Sequence, residues 1–134
     1  MMLRLVLMAG AIATLLLGCG VPGASSTSVQ RAGGSIMVAA STEPEDVMEA
    51  LVVGELTRTP MGCLALESGS DTHILQFPFG TTLADDGRSV EVPGLGAVEL
   101  GDSIKGGGGY IKLPDVPREC RTDDDYAVWQ TVNE

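Results

Sequence analysis

The sequence predicts a small single all-β domain of six or seven short strands, arranged as a barrel of the OB or SH3 type or as a compact sandwich, with one disulfide. Three observations predict it. From residue 47 onward, apolar side chains recur with a period of two, which is typical of half-buried strands. Gly, Pro and Asp interrupt these runs about every 8–12 residues. No long amphipathic helical pattern lies between them.

The individual strands are predicted from apolar runs bounded by turn residues. Residues 47–59 predict one strand with a bulge at Gly54, and Ser68-Gly69-Ser70-Asp71 predicts a hairpin turn. Alternation is clearest at Val90 and Val92, which are expected to face inward. The other runs are residues 63–67, 72–77, 81–83, 89–92, 97–100, 103–105, 110–113 and 125–132.

Four consecutive glycines, residues 106–109, fall among these runs. They are not a phosphate-binding loop, because the Gly-Lys-Ser/Thr sequence that such a loop needs is absent. We expect them to allow a bulge, a positive φ angle or a close approach of two strands.

The N-terminus has the pattern of an export signal. Arg4 precedes the apolar run of residues 5–17, which is shorter than the ~20 residues of a membrane-spanning helix. Leu16-Leu17-Gly18-Cys19 closes the run and resembles the lipobox of bacterial lipoproteins. The resemblance implies a signal peptide over residues 1–18, cleavage between Gly18 and Cys19, and a diacylglyceryl-modified Cys19. A plain secretory signal and an uncleaved signal anchor are the alternatives.

Residues 19–46 are predicted to be the lipidated Cys19 followed by a flexible tether. The segment is rich in Gly, Ser, Ala and Thr, and its first half has no apolar period. Residues 35–40 form a small apolar island within it, which predicts either a short strand or a patch that docks on the domain. The β-domain is then expected to cover residues 47–134.

The charge of the chain limits its partners. After Gly18 the chain keeps all 18 acidic residues but only seven of the eight basic ones, which gives a net charge of −11. This charge argues against binding to nucleic acid or to anionic lipid headgroups through a basic patch. Cations and basic protein partners stay open, and plain solvation of the surface is the simpler interpretation.

The cysteine count supports both the anchor and a disulfide. Once Cys19 is assigned to lipidation, Cys63 and Cys120 are an even pair in an oxidising compartment. Closing a loop of roughly 58 residues contributes about 4 kcal/mol on the chain-entropy model. A zinc site is the alternative, but two cysteines and the distant His73 are too few ligands for it.

Three further groups of residues are candidates for chemistry. His73 is the single histidine, and no nucleophile motif accompanies it, so a catalytic role is not expected. Asp123, Asp124 and Asp125 could supply oxygen ligands to Ca²⁺, although the EF-hand pattern is absent and a solvated acidic loop is the better interpretation. No cofactor motif is present in the sequence.

The aromatic residues near the C-terminus are the candidates for a binding surface. Tyr110, Tyr126 and Trp129 could form an exposed strip for a glycan or a protein partner. Burial is the favoured alternative, because small barrels use their aromatic residues to fill the core. Tyr126 and Trp129 lie on opposite faces of one predicted strand, so burying both would require both faces to be covered.

Residues 61–132 resemble a pattern in small actinobacterial secreted or lipid-anchored proteins of no assigned activity. The pattern consists of a Cys-Leu-x-Leu strand, here Cys63-Leu64-Ala65-Leu66, followed by a turn, a Gly-Asp-x-Ile step at Gly101-Asp102-Ser103-Ile104 and a glycine pair. The resemblance implies a fold and a compartment and carries no activity.

The sequence therefore predicts a lipid-anchored protein on the outer face of a bacterial cell membrane. It is expected to be a binding or structural module without a catalytic site, whose partner is an unidentified protein or envelope ligand. Two alternatives remain: an inhibitor or immunity-like lipoprotein that masks a partner protein, and a small metal-dependent or hydrolytic enzyme.

Overall fold

The computed structural model describes residues 27–132, and this part of the chain holds more strands than the six or seven predicted. The strands are β1 (Thr27–Ala32), β2 (Ser35–Ala40), β3 (Ala50–Arg58), β4 (Leu64–Ser68), β5 (Asp71–Phe77), β6 (Thr82–Leu83), β7 (Ser89–Val92), β8 (Gly96–Glu99), β9 (Ser103–Ile111) and β10 (Tyr126–Val132). One 3₁₀ turn covers Arg118–Cys120. A helix that could span a membrane is absent from residues 27–132. The all-β prediction is confirmed.

Five of the strands close into a barrel. Its circular order is β3, β4, β5, β10 and β9, in which β5 and β10 run parallel and the other pairs are antiparallel. Closure pairs both edges of each of these strands, which removes the open edges on which other chains could add. Of the two predicted architectures, the barrel is the one that forms.

The hairpin of β1 and β2 corrects the predicted tether. It extends the barrel sheet, because β2 runs parallel to the end of β5, with Val38 paired to Gln76. The strand predicted at residues 35–40 is confirmed, but the flexible tether is wrong for residues 27–40. Gly33 and Gly34 mark a hairpin turn with positive φ angles rather than a linker. The signal peptide, Cys19 and residues 20–26 lie outside the described residues.

The three-stranded sheet of β6, β7 and β8 adds its apolar face to the barrel core. Val90 and Val92 are buried as the alternation predicts, and so is Val98. The buried side chains of this barrel core are Met37, Ala39, Val52, Leu56, Leu64, Leu66, Leu75, Phe77, Val90, Val92, Val98, Ile104, Ala127 and Trp129.

The glycines of β9 allow β10 and its side chains to pass close to the backbone. A Cβ atom on Gly108 would lie 1.7 Å from the carbonyl oxygen of Val128. A Cβ atom on Gly106 would lie 2.3 Å from Nε1 of Trp129. Of the three roles predicted for the glycine tract, the structure shows the close approach of two strands. The irregularity in this pair of strands falls on β10, between Trp129 and Thr131.

Gly54 also serves close approach, and the predicted bulge there is wrong. The strand prediction is confirmed by β3, whose pairing with β9 continues without a register shift through Gly54. A Cβ atom on Gly54 would lie 2.4 Å from the carbonyl oxygen of Glu67, which is in β4. Glycine is needed here because β4 passes close to β3, not because an extra residue is inserted.

A second apolar cluster lies outside the barrel, against the outward side chains of β2, β5 and β10. The predicted disulfide is confirmed: Cys63 and Cys120 are bonded, with their Cα atoms 5.7 Å apart. The bond ties residues 113–121, which we call the disulfide segment, to the start of β4. The buried residues of this outer cluster are Ile36, Val38, Cys63, Ile74, Val116, Cys120 and Tyr126.

Candidate functional site

The candidate site lies on the outward face of β2, β5 and β10. Because successive side chains of a strand point to opposite faces, and Leu75 and Phe77 fill the barrel core, Gln76 between them points outward. Val128 and Gln130 point outward from β10 for the same reason, since Ala127 and Trp129 are in the core. These outward side chains form the floor of the site.

Two chain segments partly cover this floor. The disulfide segment covers one end, where the hydroxyl of Tyr126 donates a 2.8 Å hydrogen bond to the carbonyl oxygen of Cys120. Residues 41–49, which we call the acidic strap, cross the other side. The strap is held by Gln130, whose side-chain Oε1 accepts a 2.6 Å hydrogen bond from the backbone N–H of Met48. The Met48 side chain lies over Gly109, where the lack of a Cβ leaves room for its sulfur.

A pocket of about 220 Å³ remains between the two segments. Its wall is mostly apolar, and Phe79 and Ile111 are partly exposed at it, by 44% and 40%. The residues that line it are Ala40, Thr42, Pro44, Met48, Gln76, Pro78, Phe79, Ile111, Leu113, Val128, Trp129 and Gln130. A second groove, which contains Glu43 and Pro93, adjoins it and shares Pro44 and Phe79.

Among residues 27–132, Gln76 is the one polar residue of the floor whose side chain is not already hydrogen-bonded. The residue is only 6% exposed, and its side chain makes no hydrogen bond to any other described residue. No fully buried side-chain N or O atom in residues 27–132 lacks a partner, so the amide of Gln76 must reach the pocket. In the pocket this amide has little access to bulk water, and a ligand could supply the hydrogen-bond partners that the other described residues do not.

The strap that borders the pocket is acidic. Glu43, Glu45, Asp46 and Glu49 are all exposed on the strap, and the sequence contains no Lys or Arg between Arg31 and Arg58. No Lys or Arg is among the described residues that line the pocket or the adjoining groove. Lys112 lies beside the wall residues in sequence, but its ammonium group is 3.2 Å from the carboxylate of Asp125 and donates to the carbonyl of Asp123.

The aromatic residues are not the binding strip that the sequence allowed. Trp129 is 1% exposed in the barrel core, and Tyr126 is 2% exposed in the outer cluster. Tyr110 is half-buried and packs against the barrel core. The exposed-strip hypothesis is therefore wrong for Tyr126 and Trp129. The strand buries both faces because the disulfide segment covers the outer one.

The three consecutive aspartates do not converge on one point. Asp125 is paired with Lys112, and the backbone N–H of Asp124 donates to Oγ1 of Thr122. The structure groups no three His, Cys, Asp or Glu side chains within residues 27–132 so that they could hold a metal ion. This arrangement is that of a solvated loop with one ion pair.

His73 is held by structural contacts. Its Nδ1 lies 2.9 Å from the carbonyl oxygen of Asp125, which can only accept, so Nδ1 carries the proton of this hydrogen bond. The ring meets Tyr110 edge to face, with centroids 5.0 Å apart. These two contacts fix the ring against Tyr110 of β9, and His73 does not line the pocket.

Sequence reasoning missed the residues that form the pocket. Gln76 carries the one signal that could have been used, because it is a polar residue in the apolar run Ile74-Leu75-Gln76-Phe77. Met48 and Gln130 gave no such signal, because their roles depend on a contact between residues that are far apart in the chain.

In comparisons with known proteins, no family model, no curated protein and no solved structure matches this chain.

Proposed function

We propose that this protein is a lipid-anchored, extracytoplasmic binding module whose ligand site is the pocket between the acidic strap and the disulfide segment. The observation that carries the proposal is Gln76, a residue only 6% exposed, whose amide has no hydrogen-bond partner among residues 27–132 and reaches an apolar pocket. Ligand sites characteristically combine apolar walls with a few polar groups that orient the ligand.

The lipid anchor rests on the lipobox-like sequence Leu16-Leu17-Gly18-Cys19. Two or more acyl chains on one cysteine hold a protein stably on a membrane. Strand β1 begins at Thr27, and the eight peptide units that separate Cys19 from it can span at most about 28 Å, even as a fully extended chain. The domain would therefore stay close to the membrane surface, where a partner must also be located.

The anchor is tested by Cys19→Ser, expressed as the full chain in a bacterial host. The protein should move from the membrane fraction to the soluble secreted fraction, and metabolic labelling with a fatty acid should be lost. A substituted protein that is still cleaved and still sediments with membranes would contradict the anchor.

The binding site is tested by photo-crosslinking in intact cells. A p-benzoylphenylalanine in place of Ile111, at the pocket wall, should form a discrete covalent adduct with an envelope component. The same group in place of Leu95 is the control, because Leu95 is 48% exposed but does not line the pocket. Adding Ala40→Phe, which fills the pocket from β2, should abolish the adduct. An adduct that persists in the filled variant, or that forms equally from position 95, would contradict the proposed site.

A further inference from the structure

We propose that the pocket binds a basic segment of a partner protein, with one apolar side chain of that segment inside the pocket and its lysines or arginines against the acidic strap. This inference rests on the proposed function and adds the chemical class of the ligand. Three observations lead to it: the size of the pocket, the amide of Gln76 and the charge of the strap.

The size of the pocket suits a single side chain. Pockets that enclose a whole drug-sized molecule measure about 300–1,000 Å³, whereas this one measures about 220 Å³. Protein interfaces commonly place one aromatic or aliphatic anchor in such a depression and surround it with weaker contacts. Met48, Phe79 and Ile111 provide flexible and apolar surfaces around the anchor.

The side-chain amide of Gln76 suits a peptide backbone as its ligand. A glutamine amide offers both a donor and an acceptor, and a peptide unit offers the matching pair. The backbone of Gln76 is already paired with Val38 on one side and Val128 on the other, so its side chain is the part left to bind a ligand. A wholly apolar ligand, such as an acyl chain, would leave this amide buried without a partner, at a cost in affinity.

The charge of the strap favours basic residues on either side of the partner's anchor side chain. The strap carries four exposed carboxylates within residues 43–49, and no described cation balances them in the pocket or in the adjoining groove. Complementary charge speeds the encounter with a basic segment and disfavours acidic ones. An anionic lipid surface would be repelled by the same carboxylates, which favours a protein ligand over a membrane.

The experiment measures peptide binding to the full chain in nanodiscs of zwitterionic phosphatidylcholine, with empty nanodiscs as the blank. Three fluorescently labelled synthetic peptides share a central phenylalanine, which is flanked by lysines, by serines or by glutamates. A fourth has lysine flanks and a central serine. We expect the lysine-flanked phenylalanine peptide to bind at least about tenfold more tightly than the other three at low salt, and the advantage to shrink as salt is added.

Two pairs of variants locate the binding. Ala40→Phe should abolish it by filling the pocket, whereas Leu95→Phe should leave it unchanged. Converting the strap carboxylates to amides should weaken it by about tenfold; these changes are Glu43→Gln, Glu45→Gln, Asp46→Asn and Glu49→Gln. The control removes the same number of exposed charges elsewhere and should change binding by less than about twofold; these changes are Glu55→Gln, Glu67→Gln, Asp71→Asn and Glu91→Gln.

The outcomes separate this inference from the proposed function. If all three phenylalanine peptides bind equally and Ala40→Phe abolishes each, the pocket is a binding site and the basic class is wrong. If the strap and control variants weaken binding equally, the effect is one of net charge and the inference fails. If no peptide binds while the crosslink from position 111 forms in cells, a peptide ligand is excluded and the proposed function stands. If neither occurs, both are overturned.

Discussion

The barrel core and the outer face of the same sheet are built in different ways. The core contains buried side chains from eight of the ten strands of residues 27–132, and five of these strands form a closed ring of backbone hydrogen bonds. The outer face is covered by two irregular segments, one tied by the Cys63–Cys120 bond and the other by the hydrogen bond between Gln130 and Met48. The barrel core should therefore determine whether the protein folds, and the outer segments should determine whether the pocket exists.

Gly108→Ala should have the largest effect, because it perturbs the barrel itself. The new Cβ would collide with the carbonyl of Val128, which cannot move without breaking the pairing of β9 with β10. We expect a loss of more than about 3 kcal/mol in the free energy of unfolding, measured by urea denaturation. Gly107→Ala is the matched control, since its Cβ meets the side-chain hydroxyl of Thr131, which can rotate away. Equal losses in the two variants would contradict this account of the glycine tract.

Removing the disulfide should have the next largest effect and should be uneven across the molecule. The double variant Cys63→Ala and Cys120→Ala is expected to lose about 2–4 kcal/mol of stability. In hydrogen exchange, amides of the disulfide segment should lose protection, while those of β9 and β10 should keep most of theirs under native conditions. Equal loss of protection in both regions would show that the two are one cooperative unit.

Gln130→Met should release the acidic strap at a smaller cost. It removes the acceptor of the Met48 N–H bond, which is worth about 0.5–1.5 kcal/mol, and exchange of the amides in residues 46–49 should accelerate. Gln76→Met is the matched control: it also replaces an outward glutamine on the floor, but one whose amide holds no segment. We expect it to leave strap exchange unchanged. If Gln76→Met releases the strap as strongly, the strap is not held by Gln130.

The smallest effect should come from the ion pair between Arg31 and Glu119, which links β1 to the disulfide segment at 2.8 Å. The hydrogen bond from Arg31 holds the pKa of Glu119 below the usual range of a glutamate carboxyl group. A lowered folded-state pKa stabilises the fold above the unfolded pKa, and this stabilisation is lost as the pH falls through the folded value. Glu119→Gln should thus be slightly less stable than the wild type near neutral pH.

The difference in unfolding free energy between Glu119→Gln and the wild type should vanish in acid, because Glu119 is then protonated. It should shrink in high salt, because the ion pair is exposed. Urea denaturation at neutral pH and at about pH 2 would measure it. A difference that is the same at both pH values would mean that the charge of Glu119 plays no part.

Much of the fold could be predicted from local patterns. The Ser68–Asp71 turn, the inward side chains of β7 and the long strand through Gly54 all depend on residues that are close together in the chain. The Cys63–Cys120 bond could be predicted from parity alone, once Cys19 was assigned elsewhere. The prediction places residues 27–40 in the flexible tether because Gly33-Gly34 has the composition of a linker. Only the pairing of β1 with β2 identifies these glycines as a turn.

The candidate site could not be predicted in this way. The alternation of side chains along β10 correctly places Tyr126 and Trp129 on opposite faces of the strand, but it does not predict which segments cover each face. Gln76 lines a pocket only because the strap and the disulfide segment, each more than 25 residues away in the chain, leave a gap over it.

By itself, the sequence determined the all-β class, most of the turns, the disulfide pair and the acidic charge. The period of the apolar residues and the turn residues are local features of the chain, and the cysteine count and the net charge do not depend on its geometry. The tertiary structure alone decided that the sheet closes into a barrel, that both faces of β10 are buried and that a pocket remains over Gln76. These features arise from contacts between segments far apart in the chain, and the burial of each side chain depends on what those segments bring to it.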